Sequence, residues 1–413
     1  MDGEAGRYSF ETYKVEKNKF IIYNTVGSEF PEQRGKERYK TKGYKELSII
    51  YGAVEDSYRD TAKLINRVRH QEGATPVRTV ADNTEREGEK LIDFIEHKTK
   101  DILIKNNFTE EGDPQEKKEK YTNQKVELVK EEQVEKAIKE CSLSKKEEEE
   151  IRRNPVGYES SDNTVNVSID DVVVKHQKEN RKGVDKNTQK PKKRDYVYNT
   201  VAHIQHKGCS YLINGYSLVF VLRVIIAFLL NNDLLKNRIQ FFVDGQKSLQ
   251  TGILMAFSWF NNIGIILDWY HLKDKCKRQL SLAMKGRKIR NDVLNQAINL
   301  LWYGMIDKSI EYLNSVDKEL VKDSSELKRL INYIERNRFY IPCYEVRKKL
   351  GLRNSSNLGE KGNDLVVSDR QKHNGMSWSK SGSVALATLT SLKRNREYKE
   401  WFEKGDIQLK LAA

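Results

Sequence analysis

The chain has 413 residues, of which 32% are charged and 38% are hydrophobic. This length allows two or three domains with a sizeable core, and the composition is that of a soluble protein. The formal net charge of +14 favours a polyanionic partner, because each phosphate contact with a basic side chain releases counterions.

Three classes of protein are excluded by local features. The longest apolar run, residues 218–230, contains Arg223 and is too short to cross a membrane. The first ten residues, MDGEAGRYSF, lack the basic-then-apolar pattern of a secretion signal. The cysteines lie far apart and form no CxxC pair: Cys141, Cys209, Cys276 and Cys343. This argues against a disulfide framework or a zinc knuckle, and we expect a cytoplasmic protein without a membrane partner.

Residues 1–105 are predicted to contain an all-α domain of the helix-turn-helix type. Two segments with helical spacing precede a turn at Gly73, and Thr75 followed by Pro76 is typical of a helix start. The helix that follows is predicted to present polar side chains to the major groove of DNA: Arg78, Asn83 and Arg86. An ordinary three-helix bundle without a DNA role is the alternative.

Residues 106–160 are rich in charge, including an acidic run at 147–150. A segment of this composition buries little apolar surface, which favours a solvated helix or a flexible linker. We therefore predict a charged helical linker between the N-terminal domain and the rest of the chain.

Residues 161–270 are predicted to form the first part of an α/β core. Alternating or β-branched residues predict strands at 164–175, 196–206 and 209–214, joined as an antiparallel meander. The loop at 176–194 has eight basic residues against two acidic ones. Its side chains are candidates for DNA phosphate contacts, as are lysines around 273–288. The loop candidates are Lys182, Lys192, Lys193 and Arg194.

Two short apolar runs, residues 239–243 and 263–267, each end on an aspartate, and a segment with helical spacing separates them. This pattern predicts strand, helix and parallel strand, with Asp244 and Asp268 at the carboxyl ends of the strands. In open α/β sheets those ends are where ligands bind.

The remaining chain is predicted to be mostly helical. Residues 271–340 have few helix breakers and form a helical insertion, whereas residues 341–413 return to the core after a turn-rich stretch that leads to Glu360. The complete order predicts an α/β fold, with an RNase-H-like mixed five-stranded sheet and helices on both faces. In that order the first and fourth strands are neighbours.

Carboxylates from distant parts of the chain are therefore predicted to meet at one sheet edge. Asp170 in the first strand and Asp244 after the fourth would lie together, and both remain ionised only with cations between them. Two Mg²⁺ ions, about 3.5–4 Å apart, can activate a water and stabilise the leaving oxygen of a phosphodiester. Glu360 is the candidate third ligand.

Alternatives remain open for each acid. Asp171 replaces Asp170 as a ligand if the register shifts by one residue. Asp244 can instead cap a strand-to-helix turn. His271 is either a site residue or a helix-capping or core histidine. Trp378 is a candidate for stacking on an unpaired base of DNA, with a core position as its alternative.

Four blocks in order resemble the DDE transposases of bacterial insertion sequences, in particular the Mutator-like and ISLre-type relatives with a helical insertion. The blocks are SIDDVVVKHQKE (168–179), FFVDGQKSL (241–249), ILDWYHLKDK (266–275) and SSNLGEKGNDLVVSDRQKHNGMSWSKSG (355–382). The resemblance covers about residues 165–400, and Asp170–Asp171 replaces an Asp-Gly pair of some relatives.

The resemblance implies a catalytic, metal-binding triad of Asp170, Asp244 and Glu360, with Asp268 and His271 as auxiliary residues. It implies Mg²⁺ as the cofactor, replaceable by Mn²⁺, in cleavage at transposon ends and strand transfer into target DNA. Double-stranded DNA would be the partner of a homodimer or larger synaptic assembly, associated with the nucleoid. The competing functions are an RNase-H-like nuclease or resolvase that does not transpose, and a domesticated DNA-binding regulator.

Overall fold

The computed structural model describes residues 42–68, 70, 72–115, 126–154, 156–177, 195–355, 362–372 and 376–411. Before them it describes two antiparallel pairs of two-residue strands, Asp2–Gly3 with Gly6–Arg7 and Val15–Glu16 with Phe20–Ile21. Several predicted site residues lie outside the described residues: Glu360, Lys182, Lys192, Lys193 and Arg194.

Five strands form one mixed sheet: β1 (Thr164–Lys175), β2 (Tyr196–His206), β3 (Cys209–Gly215), β4 (Arg238–Val243) and β5 (Ile263–Leu267). Their order across the sheet is β3-β2-β1-β4-β5. β1 pairs antiparallel with β2 and parallel with β4, and β4 pairs parallel with β5. The prediction that the first and fourth strands are neighbours is confirmed.

Helices surround the sheet. Those before it are α1 (Lys42–Ser48, continued by a π-helical turn at Ile49–Ala53), α2 (Tyr58–Val68), α3 (Val77–Lys105), α4 (Glu131–Lys139) and α5 (Lys145–Arg152). Those between the later strands are α6 (Leu218–Asn231) and α7 (Lys247–Ala256). After β5 come α8 (Trp269–Ala283), α9 (Arg287–Trp302), α10 (Ile306–Ser315), α11 (Ser324–Arg336) and α12 (Tyr344–Lys349). The last are α13 (Asp369–Gln371, after a π-helical turn at Asp364–Ser368), α14 (Lys380–Arg394) and α15 (Tyr398–Lys404). Short 3₁₀ turns occur at Ser161–Asn163, Lys318–Leu320 and Arg338–Tyr340.

Helices cover both faces of the sheet. Adjacent residues of a strand point to opposite faces. In β3, Gly215 lies directly against Phe220 of α6, whereas the side chain of Asn214 bonds to Thr388 of α14 at 3.3 Å. α6 and α14 therefore pack on opposite sides of the sheet, as predicted.

The insertion, α8–α11, has its own apolar core. Leu272, Leu280, Leu301 and Leu330 are buried there, and the same cluster includes Phe242 of β4 and Ile266 and Leu267 of β5. The insertion is thus packed directly on the two strands that end at Asp244 and Asp268.

The helices of the N-terminal third are packed on the core of the sheet. α3 is one continuous helix of 29 residues. Its later turns bury Leu91 and Leu103 in the main core together with strand residues such as Val165. Gly88 allows α3 to approach α14, because a Cβ at that position would lie 2.5 Å from the Cβ of Ala385. The described part of residues 1–105 is therefore packed on the core of the sheet, and a DNA-reading role for its helices remains a prediction.

The described part of residues 106–160 is packed structure rather than a solvated linker. Ile138 of α4 and Ile151 of α5 are buried with Val346 of α12. Nearby, the guanidinium of Arg347 and the carboxylate of Glu159 lie 3.6 Å apart, and each side chain is only 1% exposed. This small apolar contact surface is not evident from the charged sequence, because its partner, α12, lies about 200 residues later in the chain.

Candidate metal-binding site

Parallel pairing places the predicted aspartates in one row. The last registered pair of β1 and β4 is Ser168 with Phe242, and Asp170 and Asp244 each lie two residues beyond it. Between β4 and β5 the last pair is Val243 with Leu267, which Asp244 and Asp268 follow directly. Because neighbouring strands in register present equivalent positions side by side, the structure brings these three acids to the same edge.

Asp170 is held in a defined orientation. One carboxylate oxygen, Oδ1, accepts a hydrogen bond from the backbone N–H of Asp171 at 2.8 Å. The other, Oδ2, accepts one from the side-chain amide of Asn363 at 3.0 Å. Both oxygens therefore have one donor, which leaves lone pairs of each available for a cation.

Burial raises the pKa of Asp170 to about 6, with His271 lowering it and the negative charge of Asp244 raising it further. Removal from water disfavours the ionised carboxylate, and a second carboxylate nearby adds repulsion. Asp170, Asp244 and His271 thus lie within electrostatic reach of one another. A half-buried pair of acids, one of which has a raised pKa, is a typical environment for a functional carboxylate.

Asp171 faces away from this group. Its carboxylate accepts a hydrogen bond of 2.6 Å from the hydroxyl of Thr200 on β2, its partner in the strand pairing. Consecutive residues of β1 point to opposite faces, so only one of the two aspartates can lie on the side of Asp244. Of the two aspartates, only Asp170 therefore lies on the side of Asp244.

Asp244 is positioned by the turn that follows β4 and by the insertion. Its Oδ1 accepts the N–H of Gln246 at 2.8 Å, and its backbone carbonyl accepts the hydroxyl of Tyr333 of α11 at 2.7 Å. Gly245 has φ +84°, and a Cβ there would lie 2.6 Å from the Tyr333 hydroxyl. Asp244 does cap its turn with one oxygen, while Oδ2 has no hydrogen bond to any described residue.

Asp268 and His271 have different positions. Asp268 is fully buried, and its Oδ1 caps α8 by accepting the N–H groups of Tyr270 at 2.8 Å and His271 at 3.4 Å. Asp268 therefore acts as the N-cap of α8. His271, in the first turn of that helix, lowers the pKa of Asp170 by its charge.

In the parts of the chain that the structure describes, no three His, Cys, Asp or Glu side chains are close enough together to hold a metal ion. Those parts do not include Glu360. The bond between Asn363 and Asp170 does hold the chain, three residues after Glu360, against the first aspartate.

The predicted DNA-binding residues are placed unequally. The side chain of Arg78 is 85% exposed and pairs with Asp82 at 2.7 Å. Arg86 is exposed and Asn83 is half-buried. These positions leave the major-groove prediction possible for the two arginines.

Trp378 corrects the prediction of base stacking. Its side chain is 6% exposed and its indole N–H donates to the carbonyl of Gln371 at 3.0 Å. It packs edge-on against Tyr58 and beneath the guanidinium of Arg370. A base can stack only on a ring face that is open to solvent, and Trp378 is 6% exposed, so it is a core residue here.

Sequence reasoning missed two residues that orient the aspartates, Asn363 and Tyr333. Asn363 was overlooked within the block that contains Glu360, although its amide is a natural donor to a carboxylate. Tyr333 occupies a core-facing position on α11, and nothing in its local pattern distinguishes it from other buried tyrosines.

Comparisons with known proteins add little. No protein-family model matches the chain, and no curated protein matches it. Among solved structures, the chain is similar to the Drosophila P element transposase strand transfer complex, with a TM-score of 0.27 and 10% identity over 94% of this chain and 86% of that chain. A superposition this loose does not carry an argument about fold or function. No helix in the described residues is long and apolar enough to cross a membrane.

Proposed function

We propose that the chain is a DDE-type DNA transposase with an RNase-H-like core, which cleaves DNA at transposon ends and transfers the cut strand into target DNA. The observation that carries this proposal is the placement of Asp170 and Asp244 on neighbouring parallel strands, each two residues beyond the last registered pair. The strand order β3-β2-β1-β4-β5, with helices on both faces, supports the RNase-H-like assignment.

The donor set fits a divalent metal. Carboxylate oxygens are the ligands that Mg²⁺ prefers, and the ion usually takes only one or two from protein alongside substrate phosphates. Asp170 has a raised pKa because of burial, and Asp244 adds to it. A cation bound next to Asp170 and Asp244 would offset this cost of ionising the Asp170 carboxylate. Asp170, Asp244 and Glu360 would hold two Mg²⁺ ions, with Mn²⁺ able to replace them.

Such ions, when bound, would activate a water or the 3′-hydroxyl of the cut DNA strand and would stabilise the leaving oxygen of a phosphodiester. The chain's own residues fix the geometry. Asn363 and the Asp171 amide orient Asp170, while Tyr333 and the Gln246 amide orient Asp244. Asp268, by capping α8, holds His271 towards Asp170.

DNA is the proposed partner. The net charge of +14 provides the counterion-release term of affinity for duplex ends and target. Arg78 in the first turn of α3 and Arg86 in its third turn are the proposed contacts for end recognition. A homodimer or larger synaptic assembly would bring two ends together.

The test uses duplexes that carry the inverted repeats flanking the gene. Asp170→Asn, Asp244→Asn and Glu360→Gln should each abolish Mg²⁺-dependent cleavage while DNA affinity in EDTA is retained. Asp171→Asn is the matched control, because its carboxylate faces Thr200, and it should still cleave. Full cleavage by any triad variant removes that residue from the proposed site. Cleavage without strand transfer by the wild-type protein would identify a nuclease or resolvase instead.

A further inference from the structure

Two positive charges of the insertion lie beside the turn that positions Asp244. Arg336, the last residue of α11, donates from its Nη2 to the carbonyl of Gly245 at 3.3 Å. Its guanidinium lies 5.8 Å from the ring centre of Tyr333. The ammonium of Lys275 on α8 lies 5.6 Å from the same ring. We call Lys275, Tyr333 and Arg336 the Tyr333 cluster.

The acids next to these cations are already paired with other residues. Asp274 pairs with Arg278 at 2.7 Å, and Glu335 pairs with Arg338 at 2.8 Å. Neither Lys275 nor Arg336 has a carboxylate within ion-pair distance among the residues that the structure describes. Both are instead held by a ring face and, for Arg336, by a backbone carbonyl.

The arrangement keeps the charges in place without neutralising them. A cation over an aromatic face is attracted by the ring's electron density, yet it keeps its full charge and most of its N–H donors. Arg336 uses one donor on Gly245, which leaves others of its fork for a planar or tetrahedral oxyanion. Tyr333 itself is buried and anchored to the Asp244 carbonyl.

We propose that the Tyr333 cluster is a phosphate-binding subsite, in which Lys275 and Arg336 contact backbone phosphates of the DNA strand that enters the aspartate site. It rests on the proposed function for the identity of the ligand. The hydroxyl of Tyr333 ties the cluster to the backbone of Asp244, so the phosphates it binds are held at a fixed distance from the carboxylates. The insertion would then fix the position of the DNA strand relative to the metal site.

The test is a salt series. Binding of the full-length protein to a fluorescein-labelled mixed-sequence duplex is measured by anisotropy in EDTA. Lys275→Ala and Arg336→Ala should each lower the slope of log affinity against log salt by about 0.9, and the double variant by about 1.8. Arg336→Lys keeps the charge and should keep the slope.

Arg329→Ala is the matched control, since Arg329 lies on the same helix and pairs with Glu326. It should leave the slope unchanged. A wild-type slope in the double variant, an equal loss in the control, or no DNA binding by the wild-type protein overturns the proposal. Because the measurement needs no metal, a failed subsite with triad variants that still lose cleavage leaves the proposed function intact. Lowered slopes in the Lys275 and Arg336 variants, together with triad variants that still cleave, would instead support the subsite and overturn the proposed metal site.

Discussion

Asp170→Asn is expected to make the metal-free protein more stable at neutral pH. The folded-state pKa of Asp170 is raised from 3.8 to about 6, chiefly by burial. A raised pKa means that the folded protein binds this proton more tightly than the unfolded chain. The stability it confers is present below the unfolded pKa and is lost as pH rises through the folded pKa.

The size of the effect follows from the shift. A shift of roughly two pKa units corresponds to about 3 kcal/mol of lost stability at pH 8. Asparagine avoids this loss, but it has one acceptor oxygen where Asp170 uses two, for the Asp171 amide and for Asn363. One forfeited hydrogen bond costs about 1 kcal/mol. The variant should therefore gain about 2 kcal/mol at pH 8, and less than about 1 kcal/mol at pH 5.

The assay is urea unfolding followed by tryptophan fluorescence, in EDTA at both pH values. Asp171→Asn is the control and should show no gain at pH 8, because it removes an acceptor for Thr200 on the other face. Adding Mg²⁺ should stabilise the wild-type protein and not Asp170→Asn. A variant that is less stable than wild type at pH 8 in EDTA would refute the reasoning about burial of this carboxylate.

Three further changes test the surroundings of the site. Gly245→Ala should lower the free energy of unfolding by about 2–3 kcal/mol, through a positive φ and a clash with the Tyr333 hydroxyl. Trp378→Ala should cost about 3–5 kcal/mol by opening a cavity, without altering the DNA affinity of the folded fraction. Glu159→Gln should cost about 3–5 kcal/mol, because it leaves the buried guanidinium of Arg347 without its counter-charge. All three are measured by urea unfolding, with DNA affinity added for Trp378→Ala.

Control substitutions distinguish the physical causes of these losses of stability. Gly351→Ala has a similar positive φ of +72° but open space around its Cβ, so it should cost only the strain, about 1 kcal/mol. Glu135→Gln breaks the exposed pair with Arg152 and should cost less than about 1 kcal/mol. Equal effects at Gly245 and Gly351 would contradict the clash with Tyr333. A loss of DNA affinity in folded Trp378→Ala would restore the base-stacking prediction.

The strands were predictable because their residues carry the signal locally. The alternation of Val165, Val167 and Ile169 with half-buried polar residues fixes the two faces of β1, and the observed strand bounds lie within one residue of those expected. The length of α3 was not predictable, since Gly88 resembles a helix break. A glycine is needed at position 88 because Ala385 of α14 lies so close to it, and the local sequence pattern does not show that contact.

The same distinction holds at the candidate site. Asp170 and Asp244 were found because each stands in or directly after an apolar strand. Asn363 and Tyr333 reach them from 193 and 89 residues away along the chain, and no local periodicity reports such a pairing. The sequence leaves two positions open for Trp378, stacking on DNA or packing in the core, because its partner in the fold, the Gln371 carbonyl, is not visible in the local pattern.

The unbroken course of α3 has a geometric consequence. A helix of 29 residues is about 44 Å long. Its first turn carries Arg78, and its middle is clamped against α14 at Gly88. A duplex bound at that first turn would reach the row of aspartates at a fixed distance and a fixed angle. If the proposed cleavage takes place, the nick should fall a constant number of base pairs from the bound sequence. Spacer bases inserted between that sequence and the original cleavage position should leave this distance unchanged.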